Sequence, residues 1–532
     1  MTTPPASFIL FLTDQHRADY LGCYGHPVVR TPSLDGLAAS GVRFERSYVA
    51  SPVCMPNRAS LLTGRMPSVH GVRSNGIPLD HENVTFVELL RAAGYDTVHI
   101  GKAHHQNFAG EKPIWRGARV PDSLRKPPSP LAQAKRRPSG NYDVETPSRW
   151  NAATHSPATD YYGFDTADIV IGHGDLAAGD YTAWAQAKGI DPAEVAGRHH
   201  ALPHVASCPQ AWRTAVPEEA YSTTCIAERA VDFLRTRAAS GSDRPFFLVV
   251  SFPDPHHPFT PPGKYWDMYG ANDMPPLQAF SSADWAPSRY VSHLIHERAA
   301  GTAKVEGHAP FAVSEQEARE AQALTCGSIT MIDHAIGRVL QESAKSSLGN
   351  VVKIFTSDHG DYLGDHRVLL KGPAPYQGLV RVPLIWQDPA VESSMGGRVV
   401  ESLVSTIDLA PSILERAGLA PYEGMQGESF VPQIGGQAAG RSHVLIEYDH
   451  QRILPLTGKV PRVHTLVTQR WRLSLWQDLS EGELFDLQQD PFEFRNLWSD
   501  PDYLATRAEL LDLLARGQMG TVDTVPLPTG TA

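Results

Sequence analysis

Short apolar runs recur along this chain, and helical patterns separate them. Phe8–Leu12, Tyr95–Ile100, Phe246–Phe252, Val351–Thr356 and Val382–Trp386 read as strands. Thr31–Gly41, Thr85–Gly94, Thr223–Ser240, Ser314–Ala344 and Thr406–Gly418 read as helices. A strand that is apolar on both faces has to be covered on both faces, and alternating helices supply the cover. The pattern predicts an α/β fold: a large, mostly parallel sheet sandwiched by helices.

Two stretches break the rhythm. Residues 105–220 hold Lys126-Pro127-Pro128-Ser129-Pro130 and the basic Lys135-Arg136-Arg137-Pro138, and read mostly as surface loop. Residues 261–312 are a second irregular stretch, rich in Pro, Trp and Tyr. After about residue 440 the character changes. His443–Tyr448, Thr465–Gln469, Arg472–Trp476 and Glu483–Leu487 read as short strands of a small C-terminal α+β subdomain with an antiparallel sheet. The expected division is therefore 1–440 for the main α/β domain, with 105–220 and 261–312 as insertions, and 441–532 for the C-terminal subdomain and tail. The tail after Arg516 is a candidate for packing on a neighbour, which leaves a homo-oligomer open.

Composition narrows the class. The 532 residues are 42% hydrophobic and 20% charged, a globular balance. Lys and Arg number 47 against 58 Asp and Glu, a net charge of −11, so there is no basic footprint for nucleic acid. Five cysteines (Cys23, Cys54, Cys208, Cys225, Cys326) at irregular spacings contain no C-x-x-C pair, which argues against a zinc ribbon. The start, Met-Thr-Thr-Pro-Pro-Ala-Ser, has no basic n-region, and no apolar stretch approaches the roughly 20 residues of a membrane span. The expectation is a soluble cytoplasmic protein with no membrane partner.

Ligands of parallel sheets sit at the carboxyl ends of the strands. Reactive groups fall there repeatedly. Asp14 follows Phe8–Leu12, Lys102 and His104 follow Tyr95–Ile100, His256 follows Phe246–Phe252, and Asp358 and His359 follow Val351–Thr356. Asp14, Asp358 and His359 make a candidate set for a divalent cation. Lys102, His104, His256, Lys371 and Arg58 make a cationic and acid–base set. Such a set suits an ester with negative oxygens: cations face the oxygens, and a histidine protonates the departing alkoxide.

Cys54-Met55-Pro56-Asn57-Arg58 is the remaining singular segment. Pro56 and Arg58 sit where a helix could begin, and Ala59 to Gly64 reads as helical. That places Cys54 at a helix N-terminus, where free N–H groups and the macrodipole favour anions. Arg58 is four residues on, near the same spot. Two readings are open for Cys54 taken alone: a buried structural thiol, or a nucleophile.

The segment resembles the C-x-P-x-R that type I sulfatases present to their maturation enzyme. Further motifs follow in chain order. Thr13-Asp14-Gln15-His16-Arg17-Ala18-Asp19 resembles that family's opening metal motif, Gly101-Lys102-Ala103-His104 its G-K-x-H, and Pro255-His256-His257-Pro258 its P-H-x-P. Ser357-Asp358-His359-Gly360, with Lys371-Gly372, resembles its second metal motif and distal lysine. Glu483-Leu484-Phe485-Asp486-Leu487 resembles its C-terminal signature. The resemblance implies an alkaline-phosphatase-like fold and a sulfuric ester hydrolase. It implies Cys54 oxidised to formylglycine by a maturation enzyme, and one divalent metal held by Asp14, Cys54, Asp358 and His359. It also implies Arg58 at the nucleophile, Lys102 and Lys371 on the transferred group, His104 at the nucleophile or its intermediate, and His256 at the leaving oxygen. The substrate would be a small anionic sulfate ester. His105 and His257 are read as neighbours without a task.

The chain departs from the family at two places. Gln15 stands where many members have a second acid, and could ligate through its amide oxygen. His359 stands where many have asparagine. Both changes resemble the branch of choline sulfatases and phosphonate monoester hydrolases. They leave the metal between Ca2+, the first choice, and Mn2+, and leave a phosphonate or phosphodiester hydrolase as the runner-up. A pseudoenzyme that binds an anion without turnover is the non-enzyme alternative.

Overall fold

The structure is a computed structural model that describes residues 5–108, 134, 141–147, 150, 158–283, 285–345, 348–391, 395–437 and 439–530. Its strands, in chain order, are β1 (Ser7–Thr13), β2 (Val42–Tyr48), β3 (Asp96–Gly101), β4 (Ala158–Tyr161), β5 (Phe164–Ile171), β6 (Ala178–Gly179), β7 (Phe246–Ser251), β8 (Phe311–Ala312), β9 (Val351–Ser357), β10 (Val368–Leu369), β11 (Arg381–Gln387), β12 (Arg398–Ser405), β13 (His443–Asp449), β14 (Arg462–Thr468), β15 (Trp471–Trp476) and β16 (Glu483–Asp486). The large sheet runs β12-β2-β11-β9-β1-β7-β3-β5-β4, with β6 beside β5. Its centre, β9-β1-β7-β3-β5, is parallel throughout. The expected α/β sandwich is therefore present.

Alternate residues of β1 show why both faces must be covered. Ile9 and Phe11 pack with Ile226 and Ala230 of the helix Ser222–Ser240 and with Ile329, Ile332 and Ile336 of the helix Glu315–Lys345. Phe8, Leu10 and Leu12 pack on the opposite face with Met55, Ala59 and Leu62 of the helix Cys54–Thr63, Phe86 and Leu90 of the helix Phe86–Ala92, and Ile413 and Leu414 of the helix Leu409–Arg416. Each buried Ile, Leu, Phe or Met among them contributes about 1.5–3 kcal/mol of transfer free energy. Slipping β1 by one residue would exchange the two sets, so the pairing register is held from both sides.

The register aligns the reactive strand ends. Leu12 pairs with Ser251 of β7 and Thr356 of β9, Thr13 pairs with Ser357, and Gly101 of β3 pairs with Ser251. Gly101 has φ of 110°, and a Cβ there would fall 1.8 Å from the Ser251 carbonyl oxygen. Only glycine lets β3 turn away at that point and deliver Lys102 beside β7.

Several expectations are corrected. Residues 105–220 hold more than loop: the described part contains β4, β5, β6 and the helix Asp180–Ala187, and β5 lies inside the large sheet. Its opening Phe-Asp-Thr-Ala-Asp hides the strand because Asp165 and Thr166 face solvent near the sheet edge. Lys126–Pro130 and Lys135–Pro138 lie outside the described residues. The stretch 261–312 includes the helix Arg289–Ala299, capped by the Ser288 hydroxyl, which accepts from the Val291 N–H, and the short strand β8. The strand expected at Val382–Trp386 is present as β11, but it runs antiparallel to both its neighbours, β2 and β9.

The C-terminal sheet is an antiparallel meander, β13-β14-β15-β16. One face carries Val444, Ile446, Val463 and Trp476 into a cluster with Val380 and Leu403 of the main body. The other face is covered by the chain's own tail. In the helix Leu504–Gly520, Leu510 and Leu514 pack on Leu466, Leu473 and Leu484. Fully buried Arg472 donates to Glu483 (3.0 Å) and to Glu493, and Glu493 accepts the Gln377 N–H at 2.7 Å. That chain of charges ties the small sheet to the loop that follows Lys371. Among the described residues no helix is long and apolar enough to cross a membrane.

Candidate active site

Asp14, Cys54, Asp358 and His359 converge at the carboxyl ends of β1 and β9. One ligand-type atom of each lies within 4.8 Å of the others, and all are buried. Cys54 opens the helix Cys54–Thr63, whose ten residues are all buried. Its N-cap is Val53, whose own side chain makes no cap. The Asn75 amide oxygen accepts from Met55 N–H at 3.0 Å. Cys54 Sγ lies 3.1 Å from His359 Nε2 and 3.9 Å from Asp14 Oδ1. Burial pushes the Cys54 thiol above its ordinary value, so as a plain cysteine it is a neutral, weakly nucleophilic group.

Asn57, at the variable position of the Cys54–Arg58 segment, locks the helix start. Its Oδ1 accepts from Ala50 N–H (3.0 Å) and Thr406 Oγ1 (2.8 Å), and its Nδ2 donates to the Asp358 carbonyl at 2.5 Å. Behind the same helix, buried His70 accepts Val72 N–H on Nδ1 at 3.1 Å, which leaves Nε2–H to donate to Ser60 Oγ at 3.0 Å. Burial lowers its pKa from 6.5 to about 3. Below pH 6.5 the unfolded chain binds a proton here that the native state refuses. Stability is thus lost as pH falls from about 6.5 toward 3, by about 1.4 kcal/mol per unit. His70→Gln should remove that slope: between pH 7 and 5 the variant should lose about 2 kcal/mol less than wild type in denaturant titrations. Equal slopes would show that His70 does not carry the effect.

The cations surround the tetrad. Arg58 Nε donates to Asp358 Oδ2 at 2.7 Å, and Nη1 reaches the Lys102 carbonyl (2.7 Å) and Ser251 Oγ (3.0 Å). Arg58 Nη2 is 3.7 Å from Asp14 Oδ2. Lys102 Nζ bonds Asp14 and His173 Nε2, the latter at 2.7 Å. Burial lowers the Lys102 pKa to about 7. For Asp358, burial acts upward, but His359, Arg58 and Lys102 outweigh it and hold the carboxyl below its usual range. Two buried carboxylates and two buried cations thus neutralise one another. A divalent cation in the tetrad would free Lys102 and Arg58 to face a substrate anion.

On the far side, Lys371 Nζ donates to Gln15 Oε1 at 2.8 Å and to His256 Nε2 at 2.7 Å. His256 Nδ1 donates to the His257 carbonyl, which assigns its proton to Nδ1 and a lone pair to Nε2. Gln15 Oε1 is thus engaged by Lys371, while its Nε2 reaches Asp361 and His257 Nδ1, the latter at 3.1 Å. Gln15 N–H donates to Asp358 Oδ1 at 3.1 Å. His104 packs against Phe108 in a tilted pair with ring centroids 4.1 Å apart, and its buried Nδ1 has no hydrogen-bond partner among the described residues.

Sequence reasoning missed several residues. His173, beyond β5, stacks on His256 at 3.6 Å and 14°. It was hidden because the strand before it was not recognised. His257 is not idle: it bonds Gln15, and its Nε2 faces His308 Nδ1 at 3.0 Å. Glu145, buried, accepts the N–H groups of His104, His105 and Gln106, each at 2.7 Å, and the Tyr161 hydroxyl at 2.6 Å. It fastens the loop that carries Lys102 and His104. His105 therefore belongs to that fastening, with its ring near Tyr161 and Tyr162.

The family model described as Sulfatase matches residues 6–419, and one described as N-sulphoglucosamine sulphohydrolase, C-terminal, matches residues 364–519. An arylsulfatase of Clostridium perfringens is 29% identical over 509 residues, covering 93% of this chain and 91% of the relative. A multifunctional alkaline phosphatase superfamily protein, PehA, of Trinickia caryophylli is 28% identical over 530 residues, covering 93% of this chain and 92% of its own. The solved phosphonate monoester hydrolase of Agrobacterium radiobacter superposes with a TM-score of 0.75 at 25% identity, covering 98% of this chain and 97% of that one.

Proposed function

The chain belongs to the sulfatase family and is a sulfuric ester hydrolase, and on that premise we propose that it cleaves a sulfate monoester through formylglycine formed from Cys54, beside one divalent cation. The observation that carries this reading is the buried tetrad Asp14, Cys54, Asp358 and His359, ringed by Arg58, Lys102 and Lys371. Two carboxylates, an imidazole and an oxygen of the modified residue 54 fit a hard divalent ion, with Ca2+ favoured by the carboxylates and Mn2+ the alternative through His359. When bound, the ion would polarise the sulfuryl oxygens and the nucleophile.

The chain's own residues do the rest. One hydroxyl oxygen of hydrated residue 54 gives its proton to the neighbouring Asp14 carboxylate and forms a bond to sulfur, and the sulfur–oxygen bond to the alcohol breaks. Lys102 and Lys371 face the sulfuryl oxygens. Lys371 donates to His256, so the pair holds the proton that the departing alkoxide takes. The second hydroxyl of residue 54 then gives its proton to His104. The bond from residue 54 carbon to the sulfated oxygen breaks, sulfate leaves, and the aldehyde is restored.

Cys54 to Arg58 are all buried. A maturation enzyme that reads this segment must therefore reach it before the chain folds.

A second reading has its own support. Gln15 and His359, and the likeness to a phosphonate monoester hydrolase, favour a phosphonate ester as substrate. Matched aryl sulfate and aryl phosphonate monoesters separate the two. The expected result is a higher kcat/KM on the sulfate, and a higher value on the phosphonate would replace the first reading with the second.

A further inference from the structure

Four imidazoles crowd the mouth of this site, and only His256 has a task in the reaction above. His173 stacks on His256 at 3.6 Å, His256 on His257 at 4.1 Å, and His257 lies 5.1 Å from His308 by ring centroids. One ring nitrogen each of His256, His257 and His308 lies within 4.8 Å of the others. His257 Nε2 and His308 Nδ1 face each other at 3.0 Å. Two ring nitrogens that close need either a proton or a metal ion between them. The other polar neighbours are the Gln15 amide on His257 Nδ1, Lys371 on His256 Nε2, and the His257 carbonyl on His256 Nδ1.

This set differs in kind from the tetrad. It contains no carboxylate, so a hard cation has little reason to choose it. Imidazole nitrogen suits the borderline ions, Zn2+ above all. His308 is exposed, which gives an ion a way in. We propose that His256, His257 and His308 form a second metal site, for a transition metal of the Zn2+ class, at the mouth of the active site. The ion takes the place of the hydrogen bond between His257 and His308 and of the Lys371 hydrogen bond to His256; the His257 proton moves to Nδ1 and the Gln15 amide turns its oxygen to accept it, so each ligand stays a neutral imidazole. His256 is then withdrawn from the leaving oxygen, and Zn2+ inhibits the enzyme. The inhibition rests on the reaction proposed above, whereas the binding does not.

The test begins with direct binding. Full-length protein saturated with Ca2+ is titrated with ZnCl2 by calorimetry, and bound zinc is counted by elemental analysis. Wild type should take up one Zn2+ that Ca2+ does not displace. Loss of even an outer-shell partner costs about 10–100-fold in metal affinity, so His308→Ala should weaken this Zn2+ at least that much. Asp358→Asn, which alters the tetrad, should leave it in place. A matching thermal melt for His308→Ala shows that the fold is intact, as expected for an exposed position. Co2+ in place of Zn2+ should give a tetrahedral absorption band in wild type and not in His308→Ala. No additional Zn2+ in wild type, or the same affinity in His308→Ala, overturns the proposal. Zn2+ bound as expected but without inhibition would count against the role given to His256, not against the site.

Discussion

Cys54→Ala should abolish turnover, with a loss of order 10⁶, the scale seen when a covalent nucleophile is removed. The variant should still fold. Asp14, Asp358 and His359 remain to hold a cation, and Arg58 keeps its 2.7 Å bond to Asp358. Cys54→Ser is the sharper companion. A serine oxygen can take the sulfuryl group, but it has no second hydroxyl with which to expel it. That variant should react once and stop with a sulfated serine. In the wild type, mass spectrometry of the tryptic peptide Ser47–Arg58 should find the aldehyde or its hydrate. Fully active protein carrying only the thiol would end the formylglycine reading. The position of Cys54 gives the reason to expect the aldehyde: burial raises the thiol pKa, which is the opposite of what a catalytic thiolate needs.

The site was legible in the sequence to the extent that its residues lie next to strands. Asp14, Lys102 and Asp358 directly follow β1, β3 and β9, and parallel register brings such ends together whatever the helices between them do. The central strands were legible for the same reason, since a run such as Phe8–Leu12 has no other stable home. The antiparallel direction of β11 left no mark, because a buried strand has the same composition whichever way it runs. β2 was missed because its outward positions carry Arg43, Glu45 and Arg46. β5 was missed because its first half is polar, and His173 was missed with it.

A different limit applies to residues whose value lies in the third dimension. Asn57, Glu145, His257 and His308 sit on loops or between named positions, and nothing local marks them. Glu145 is about 40 residues from the backbone groups that it binds. Its burial could be inferred only from the closed loop around it. The helix Leu504–Gly520 was likewise not read as cover for the C-terminal sheet, where Leu510 and Leu514 have their partners.

His256→Ala should separate substrates by their leaving groups. For an alkyl sulfate, whose alkoxide is a poor leaving group, loss of the proton donor should cost about 10² to 10⁴ in kcat. For an activated aryl sulfate, whose phenolate leaves without help, the loss should be much smaller. The contrast follows from the hydrogen-bond pattern. His256 Nε2 accepts from Lys371 at 2.7 Å, and its Nδ1–H is fixed on the His257 carbonyl, so the proton on offer travels from Lys371 through His256 or directly beside it. Removing the imidazole takes away the 2.7 Å partner of Lys371 and leaves its bond to Gln15 Oε1 at 2.8 Å. Lys371 then still carries charge toward the sulfuryl oxygens, but nothing aligns its proton with the leaving oxygen. A positioning role for His256 would lower both substrates equally and would show in KM, since misplacing the transferred group does not depend on how well the alcohol leaves. Equal losses on the alkyl and aryl esters would therefore move His256 out of acid catalysis and leave Lys371 alone to supply the proton.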